Sequence, residues 1–315
     1  MGQKKLIRFA ELETFSNVLQ FPVKMPGTWF QFFENQNPIV LELACGKGEY
    51  TIGLAEIYPN KNFIGIDIKG NRLWVGAKKA IQHFLNNVAF LRIQIDQITE
   101  YFATEEVDEI WITFPDPQLR ISKSKKRLTH PKFLRLYYQV LKPNGKIHLK
   151  TDSPDLYRFT KKVIDMYGCH LHRDLEDVYA EPGIPPELRI ITHYESLDIA
   201  QSKRVHYLCF SLPAILPSKE MDIALQQFLK ESHPDLSVGT DSEHSGLVSS
   251  ESTETDEDDY YFNGEGLVVF TAKYLLERGY CCGNGCKNCP YDYKAVPEPR
   301  RSQLLEQRKK NEPNK

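Results

Sequence analysis

The sequence lacks any apolar run of about eighteen residues, the length that a transmembrane helix needs, so we expect no membrane-spanning segment. Residues 1–5 lead into no apolar signal core, and Leu6 stands where a myristoylation signal requires Ser or Thr. A marked excess of one charge is also lacking, because the formal net charge is −2. These absences argue against membrane and secreted classes and predict a cytoplasmic chain, and the whole-chain charge indicates no particular partner.

Cysteine is sparse through most of the chain, and we expect the three scattered residues, Cys45, Cys169 and Cys209, to be free thiols in the interior. The other four crowd into nine residues near the end: Cys281, Cys282, Cys286 and Cys289. In a cytosolic chain such a cluster favours metal binding over disulfides. Three or four thiolates suit zinc or an iron–sulfur cluster, whereas a redox pair or unliganded thiols are the alternatives.

The length of 315 residues predicts two domains, and composition divides the chain further. From Pro213 the sequence becomes polar, and residues 251–259 hold six acids and no base. We therefore predict an aromatic and basic arm, a main domain, an acidic flexible linker, a Cys-rich module and a disordered basic tail. Their respective ranges are 1–35, 36–213, 214–259, 260–293 and 294–315.

The start of the main domain has the pattern of a cofactor-binding half-unit. An apolar strand runs into a turn containing Gly46 and Gly48, a helix follows, and a second strand ends in Asp67. In this unit the glycines let backbone N–H groups approach an adenosine-containing ligand, and the acid binds ribose hydroxyls. A dinucleotide fingerprint needs a third glycine where Thr51 stands, and Glu42 would repel a pyrophosphate. The pattern therefore disfavours NAD and favours S-adenosylmethionine, whose sulfonium is cationic.

The rest of the main domain continues the alternation of strands and helices. We predict helices over 77–84 and 131–141, another opened by Ser153 and Pro154 and closed by Gly168, and strands over 88–93, 146–150 and 205–212. Asp96 and Asp152 follow two of these strands, which would place them at the ligand-binding edge. The pattern predicts an α/β fold with a mostly parallel, doubly wound Rossmann-like sheet.

A further buried strand, 107–114, is stopped by Pro115, Asp116 and Pro117. Asp116 would therefore stand on a rigid turn at the carboxyl end of the strand. The following residues include seven bases and no acid: Arg120, Lys123, Lys125, Lys126, Arg127, Lys132 and Arg135. A fixed carboxylate beside a basic loop indicates a reactive group next to a polyanion. The alternative is a structural turn followed by a solvated loop.

Residues 1–212 resemble the bacterial tRNA (guanine-N7-)-methyltransferases. The resemblance rests on six segments: Arg8-Phe9-Ala10-Glu11 with Thr14-Phe15, Glu42-Leu43-Ala44-Cys45-Gly46-Lys47-Gly48, Phe114-Pro115-Asp116-Pro117, Lys126-Arg127-Leu128, Thr151-Asp152, and Thr192-His193-Tyr194-Glu195. The Phe-Pro-Asp-Pro element with a basic loop is specific to that family, whereas many methyltransferases share the nucleotide-fold segments. The implied fold is a class I methyltransferase.

The resemblance implies methyl transfer from S-adenosylmethionine to N7 of a loop guanosine in tRNA, at position 46. It implies a cofactor site and a guanosine site, with Asp116 as the catalytic residue that also borders the cofactor. The implied cofactor residues are Glu42, Gly46, Gly48, Asp67, Asp96 and Asp116, and the implied substrate residues are Arg120, Asp152, Thr192, His193, Tyr194 and Glu195.

The chain departs from the family pattern near Asp116 and further downstream. Gln118 replaces a Trp, Leu119 a Pro and Arg120 a Lys, while Tyr194 replaces a Phe and Ser202-Lys203 a Gly-His pair. Two alternatives stay open: a tRNA-binding protein without catalysis, and a tRNA-binding factor regulated by metal or redox state through its cysteines. The C-terminal module itself resembles the oxidoreductase-like Cys-Cys-x-x-Gly-Cys-x-x-Cys pattern.

Overall fold

The computed structural model describes residues 2–196, 204–232, 260–262, 268–277, 285–294, 296 and 298–311. The chain divides into two compact units, one within residues 1–240 and the other within 241–315. None of the helices in these described ranges is long and apolar enough to cross a membrane.

The first unit alternates strands and helices. Its strands are β1 (Val18–Gln20), β2 (Ile39–Leu43), β3 (Asn62–Ile66), β4 (Val88–Arg92), β5 (Val107–Thr113), β6 (Leu141–Thr151), β7 (His170–Leu175) and β8 (His206–Ser211). Its α-helices are α1 (Gly2–Leu12), α2 (Trp29–Phe33), α3 (Glu49–Ile57), α4 (Gly70–Gln82), α5 (Pro131–Val140), α6 (Pro154–Met166), α7 (His193–Ser196) and α8 (Glu220–Ser232). Short 3-10 turns span Ile95–Glu100, Ile121–Lys126, Val178–Ala180 and Pro186–Arg189.

The eight strands form one sheet in the order β1-β4-β3-β2-β5-β6-β8-β7. Strands β1 to β6 are parallel to one another, and β8 is antiparallel to both β6 and β7. Every residue of β2 and β3 is buried, because helices cover both faces of the sheet. The predicted Rossmann-like class I methyltransferase fold is confirmed. Its switch point, where ligands bind in such sheets, lies between β2 and β5.

Several predicted elements are observed with small shifts. Helix α5 covers nearly all of the range predicted for it, and the Ser153 hydroxyl caps α6 by accepting from the Leu156 N–H at 3.2 Å. The prediction of a helix over 77–84 is wrong at its start, because α4 begins at Gly70. Glycine and asparagine at the first turn have poor helix propensity, and packing against α1 outweighs it.

The N-terminal residues complete the first unit. Strand β1 pairs with β4 at the edge of the sheet, in the register Val18 with Phe90. Trp29 is fully buried, stacks on Phe102 at 5.3 Å between ring centroids, and donates its indole N–H to the Tyr101 carbonyl at 2.9 Å. Packing is therefore the role of Trp29, the most buried aromatic residue of the arm.

The prediction of a flexible linker over 214–259 is wrong in its first part. Helix α8 lies there and buries Leu225 and Leu229 in the main core. Asp222 on the same helix forms an ion pair with Arg135 at 2.9 Å. The polar composition concealed one apolar stripe, which is enough to hold a helix against a core. Residues 233–259 lie outside the described residues.

In the second unit, strands β9 (Tyr260–Phe262) and β10 (Val268–Phe270) pair antiparallel, followed by α9 (Ala272–Glu277) and α10 (Arg300–Asn311). The prediction of a disordered tail over 294–315 is wrong for α10. Val296 belongs to a small apolar cluster with Cys289 and Tyr293, and Leu304 of α10 packs against that cluster. The packed module thus extends past the predicted boundary at 293.

Candidate active site

The turn after β2 forms one wall of a cleft at the carboxyl edge of the sheet. Its backbone is left-handed at three positions, with φ of 56° at Ala44, 59° at Gly46 and 72° at Gly48. A Cβ added at Gly48 would collide with the ring of Phe90, so only glycine fits there. Sequence and packing together therefore fix this sharp turn between β2 and α3.

Glu42 lies at the end of β2 and is almost completely buried. Its Oε2 accepts from the Thr51 backbone N–H at 2.7 Å and from the Thr51 hydroxyl, and its Oε1 accepts from the Thr113 hydroxyl at 2.8 Å. Burial raises the pKa of Glu42 to about 7, although these hydrogen bonds favour the charged form. Because a carboxylate oxygen can accept two hydrogen bonds, Oε1 retains one position for a donor.

Asp67 follows β3 and supports the same turn. Its Oδ2 accepts from the Gly46 N–H at 3.0 Å and its Oδ1 from the Lys69 N–H at 2.8 Å. The side chain is mostly buried. Each oxygen keeps a second acceptor position, so Asp67 can hold the turn and still accept hydrogen bonds from hydroxyl groups of a ligand.

The cleft brings together residues from distant parts of the chain. Its lining includes Glu42, Gly46, Arg72, Phe114, Thr192 and His193. Four of these are residues that the sequence predicts for the cofactor or the substrate, and Phe114 belongs to the motif that carries Asp116. Arg72 and Thr113, which also line the cleft, were missed by the sequence analysis. Neither belongs to a motif, and only the fold brings them to the cleft.

Asp116 is exposed on the turn that follows β5, and its Oδ1 accepts from the Gln118 backbone N–H at 3.1 Å. The turn is held from below by the largely buried Arg127, whose guanidinium donates to the carbonyls of Pro117 and Gln118 at 3.0–3.2 Å. That guanidinium also lies 4.4 Å from the ring centroid of Phe159. Asp116 therefore projects from a braced turn, as its flanking prolines predict.

The basic residues that follow Asp116 serve different purposes. Like Arg127, Lys132 and Arg135 contact the protein itself: Lys132 forms an ion pair with Asp96, and Arg135 binds the Pro217 carbonyl at 2.8 Å. Lys125 and Lys126 are exposed and remain available to solvent or to a ligand. The predicted cofactor residue Asp96 is itself half-exposed, and its carboxylate is neutralised by this lysine. From the sequence alone, the cations that contact the protein could not be told apart from those that are exposed.

Lys150, near the carboxyl end of β6, is completely buried. Its ammonium donates to the carbonyls of Leu188 and Ile190, both at 3.0 Å, and to Glu195 Oε2 at 3.3 Å. Burial lowers the pKa of Lys150, while Glu195 favours its charged form. The lysine thereby fastens the segment that leads to Thr192 onto the sheet.

Thr192 and Glu195 form a capping box at the start of α7. The Thr192 hydroxyl accepts from the Glu195 N–H at 3.2 Å, and Glu195 Oε2 accepts from the Thr192 N–H at 3.3 Å. The predicted substrate residue Glu195 is thus engaged by the protein itself. The side chain of Tyr194 lies outside the described part of the chain. Asp152 is half-buried after β6, and burial raises its pKa.

Comparison with known proteins gives two family matches. A putative methyltransferase family matches residues 36–208, and a family of unknown function matches residues 250–295. The tRNA (guanine-N(7)-)-methyltransferase of Porphyromonas gingivalis is 47% identical over 213 residues, which are 64% of this chain and 86% of that protein. The protein of the same name from Christiangramia forsetii is 47% identical over 225 residues, which cover 67% of this chain and 100% of that protein. Among solved structures, the 16S rRNA methyltransferase KamB covers 60% of this chain and 95% of its own, with a TM-score of 0.47 and 15% identity.

We predict that Lys150→Met lowers the free energy of unfolding by about 3 kcal/mol or more, because Glu195 and the carbonyls of Leu188 and Ile190 lose their donor. Urea denaturation measures the change, and limited proteolysis should show faster cleavage within 179–196. The matched control is Arg158→Met, which removes the exposed ion pair with Asp155 and should cost less than about 1 kcal/mol. Equal stability of the two variants would show that the buried ammonium is not what fastens this segment.

Proposed function

The chain belongs to the tRNA (guanine-N(7)-)-methyltransferase family, and we propose that Asp116 is the residue through which its cleft acts on guanosine. The observation that carries the proposal is the position of Asp116 on a braced turn, two residues beyond Phe114 in the wall of the cleft. The target would be N7 of a loop guanosine in tRNA, position 46 by family resemblance. The base N7 of an A-form helix lies in a groove too deep for side chains, which favours an exposed loop nucleotide.

The residues of the cleft fit S-adenosylmethionine, which supplies a methyl group on a cationic sulfonium when it is bound. Once deprotonated, Glu42 offers a buried negative charge with one free acceptor position, and the cleft wall at Gly46 is bare backbone. Asp67 would accept from ribose hydroxyls. Asp96 would contribute less charge, because Lys132 already neutralises it. An anionic pyrophosphate would be repelled by Glu42, which agrees with the absence of a dinucleotide fingerprint.

The chemistry requires little proton transfer from the protein, because guanine N7 has an in-plane lone pair and carries no proton at neutral pH. The main tasks are orientation and charge stabilisation. As the guanine gains the methyl group it becomes cationic. The Asp116 carboxylate, accepting from the N1–H and N2–H₂ edge of the base, would stabilise that charge. Replacement of the family's Trp by Gln118 leaves the brace on Asp116 in place, since Gln118 uses its backbone N–H.

The remaining predicted substrate residues would act in two ways. Thr192 and His193 line the cleft and would contact the guanosine there. Arg120 follows β5 and Asp152 follows β6, at the same edge of the sheet. Glu195 would act by holding this segment through Lys150. The exposed Lys125 and Lys126 would bind tRNA phosphates, a contribution that weakens as salt concentration rises.

We expect Asp116→Asn to lower kcat about 10²- to 10³-fold, because the amide keeps the bond from Gln118 but carries no charge. The assay transfers labelled methyl groups from S-adenosylmethionine to unmodified tRNA transcripts and identifies N7-methylguanosine after nuclease digestion. The Kd of the same variant for S-adenosylmethionine separates the catalytic role of Asp116 from its role in cofactor binding, because only the second role would change this Kd. The control is Asp155→Asn in the first turn of α6, which should match the parent. A parent-like rate in Asp116→Asn would refute the assignment, and bound tRNA without product in the parent would indicate a non-catalytic protein.

Cofactor affinity should depend on pH through Glu42. Its pKa of about 7 in the free protein would fall when a cation binds beside it, so binding releases a proton and strengthens as pH rises through 7. We expect the Kd for S-adenosylmethionine to be about five- to tenfold weaker at pH 6 than at pH 8. Calorimetric titrations at both pH values measure the change. Glu42→Gln should bind more weakly with a flat pH profile, and an equal slope in parent and variant would refute the role of this carboxyl.

We also propose that the C-terminal cysteines bind a metal. Among the residues that the structure describes, no group of three or more potential ligands is found. Cys286 and Cys289 nevertheless share one turn, with the Cys289 N–H donating to the Cys286 carbonyl at 3.1 Å, and Cys289 is buried beside Tyr293. The predicted ligands Cys281 and Cys282 lie outside the described residues and would complete the set.

Zinc or an iron–sulfur cluster should therefore be present in the full chain purified without chelators. Elemental analysis and the visible absorption spectrum distinguish the two. The double variant Cys286→Ser, Cys289→Ser should lose the metal, while Cys169→Ser in the first unit should keep it. If the parent protein contains no more metal than the double variant, the proposal is overturned.

A further inference from the structure

We propose that Phe21, together with Arg92 and Phe9, forms a second contact surface for tRNA on which an unpaired base stacks. We call these three residues the aromatic platform. The inference rests on the proposed function, because it takes tRNA as the substrate. It adds a base-binding surface outside the cleft, formed by the N-terminal residues.

The platform is held in a fixed geometry. Phe21 directly follows β1, and its backbone N–H donates to the Arg92 carbonyl at 3.1 Å. The Arg92 guanidinium lies 5.4 Å from the ring centroid of Phe21 and 4.9 Å from that of Phe9. It is anchored by hydrogen bonds to the Ile68 carbonyl at 3.1 Å and to Gln20 Oε1 at 2.9 Å. The guanidinium that lies beside both rings is thus oriented before any ligand arrives.

Phe21 is exposed despite its size. Its side chain is 47% exposed, and its backbone has a φ of 46°, a conformation that few non-glycine residues adopt. Burial of an aromatic ring is worth roughly 1.5–3 kcal/mol, so the folded chain forgoes stabilisation at this position. An aromatic ring held in solvent next to a guanidinium is the arrangement with which proteins stack single-stranded bases.

The position of the platform relative to the cleft suits the same ligand. Strand β1 is parallel to the central strands, so Phe21 lies at the carboxyl edge that also carries Asp116. Four strand spacings separate β1 from β5 in the sheet, which amounts to about 19 Å. A polynucleotide chain entering the cleft can reach that distance within a few nucleotides.

The charge around the platform favours a polyanion. The segment from Phe21 to Phe33 contains one basic residue, Lys24, and no acid. Lys69, which follows Ile68 at the same edge, is exposed, as is Lys24. Apolar rings flanked by cations match nucleobases joined by phosphates, whereas an apolar protein partner would leave these cations without counter-charges.

The test is a set of substitutions at Phe21, with tRNA binding measured by filter retention and methyl transfer measured across tRNA concentrations. Phe21→Ala should raise the tRNA Kd and KM about fivefold or more, with kcat at saturating tRNA and the cofactor Kd unchanged. Phe21→Tyr should bind like the parent, and Phe21→Leu should bind like Phe21→Ala, because leucine fills space but offers no ring for stacking.

Phe84 provides a matched control. It is 86% exposed with a φ of 56°, but it lies between α4 and β4, where the chain returns to the amino ends of the strands. Phe84→Ala should leave tRNA binding unchanged.

The proposal is overturned if Phe21→Ala binds tRNA like the parent, if Phe21→Leu binds like the parent, or if Phe84→Ala weakens binding equally. It is also overturned if the parent binds no tRNA. A parent that binds tRNA without methylating it would refute the proposed catalysis alone, and the binding comparison would still decide the role of Phe21.

Discussion

The hydrogen bonds that the buried Glu42 carboxylate accepts are the interaction on which the first unit depends. One side chain on β2 binds the first turn of α3 through Thr51 and the end of β5 through Thr113. Both contacts lie at the switch point, and Glu42, Thr113 and the turn that leads to α3 line the same cleft. A neutral side chain of similar size could preserve part of this geometry, but it would not place a negative charge in the cleft. Glu42 therefore supports the fold and is also the residue that we propose for the cofactor preference.

Two other charged side chains also hold loops in place through hydrogen bonds. Arg127 holds the turn of Asp116 through carbonyl oxygens, and Lys150 holds the segment before Thr192 through carbonyls and Glu195. In both cases a cation binds backbone acceptors that a loop would otherwise leave without partners. Asp116 and the cleft residues Thr192 and His193 are thereby held on braced loops at the edge of the sheet.

The sequence predicted the parts of this arrangement that depend on local pattern. Apolar runs located β2 to β5, glycines located the turn after β2, and the prolines around Asp116 located the turn after β5. It missed β1, which has only three residues, and the early start of α4, where packing outweighs propensity. It could not assign Lys150 or Arg127, because both bind carbonyl groups, and Lys150 also binds Glu195, at positions that only the fold determines. The apolar stripe of α8 was hidden by its polar surroundings.

The pairing of β1 with β4 also determines when the N-terminal residues can fold. Val18 can pair only after Phe90 has been synthesised, and the Trp29 indole can form its hydrogen bond only after Tyr101 has been synthesised. Each partner lies 72 positions later in the chain. At a synthesis rate of roughly 5–20 residues per second, the interval is on the order of 4–15 s. During that time the aromatic segment around Trp29 lacks the residues against which it packs in the folded unit. The segment around Trp29 is thus translated before its packing partners, and its apolar surface stays open to aggregation until the sheet is complete.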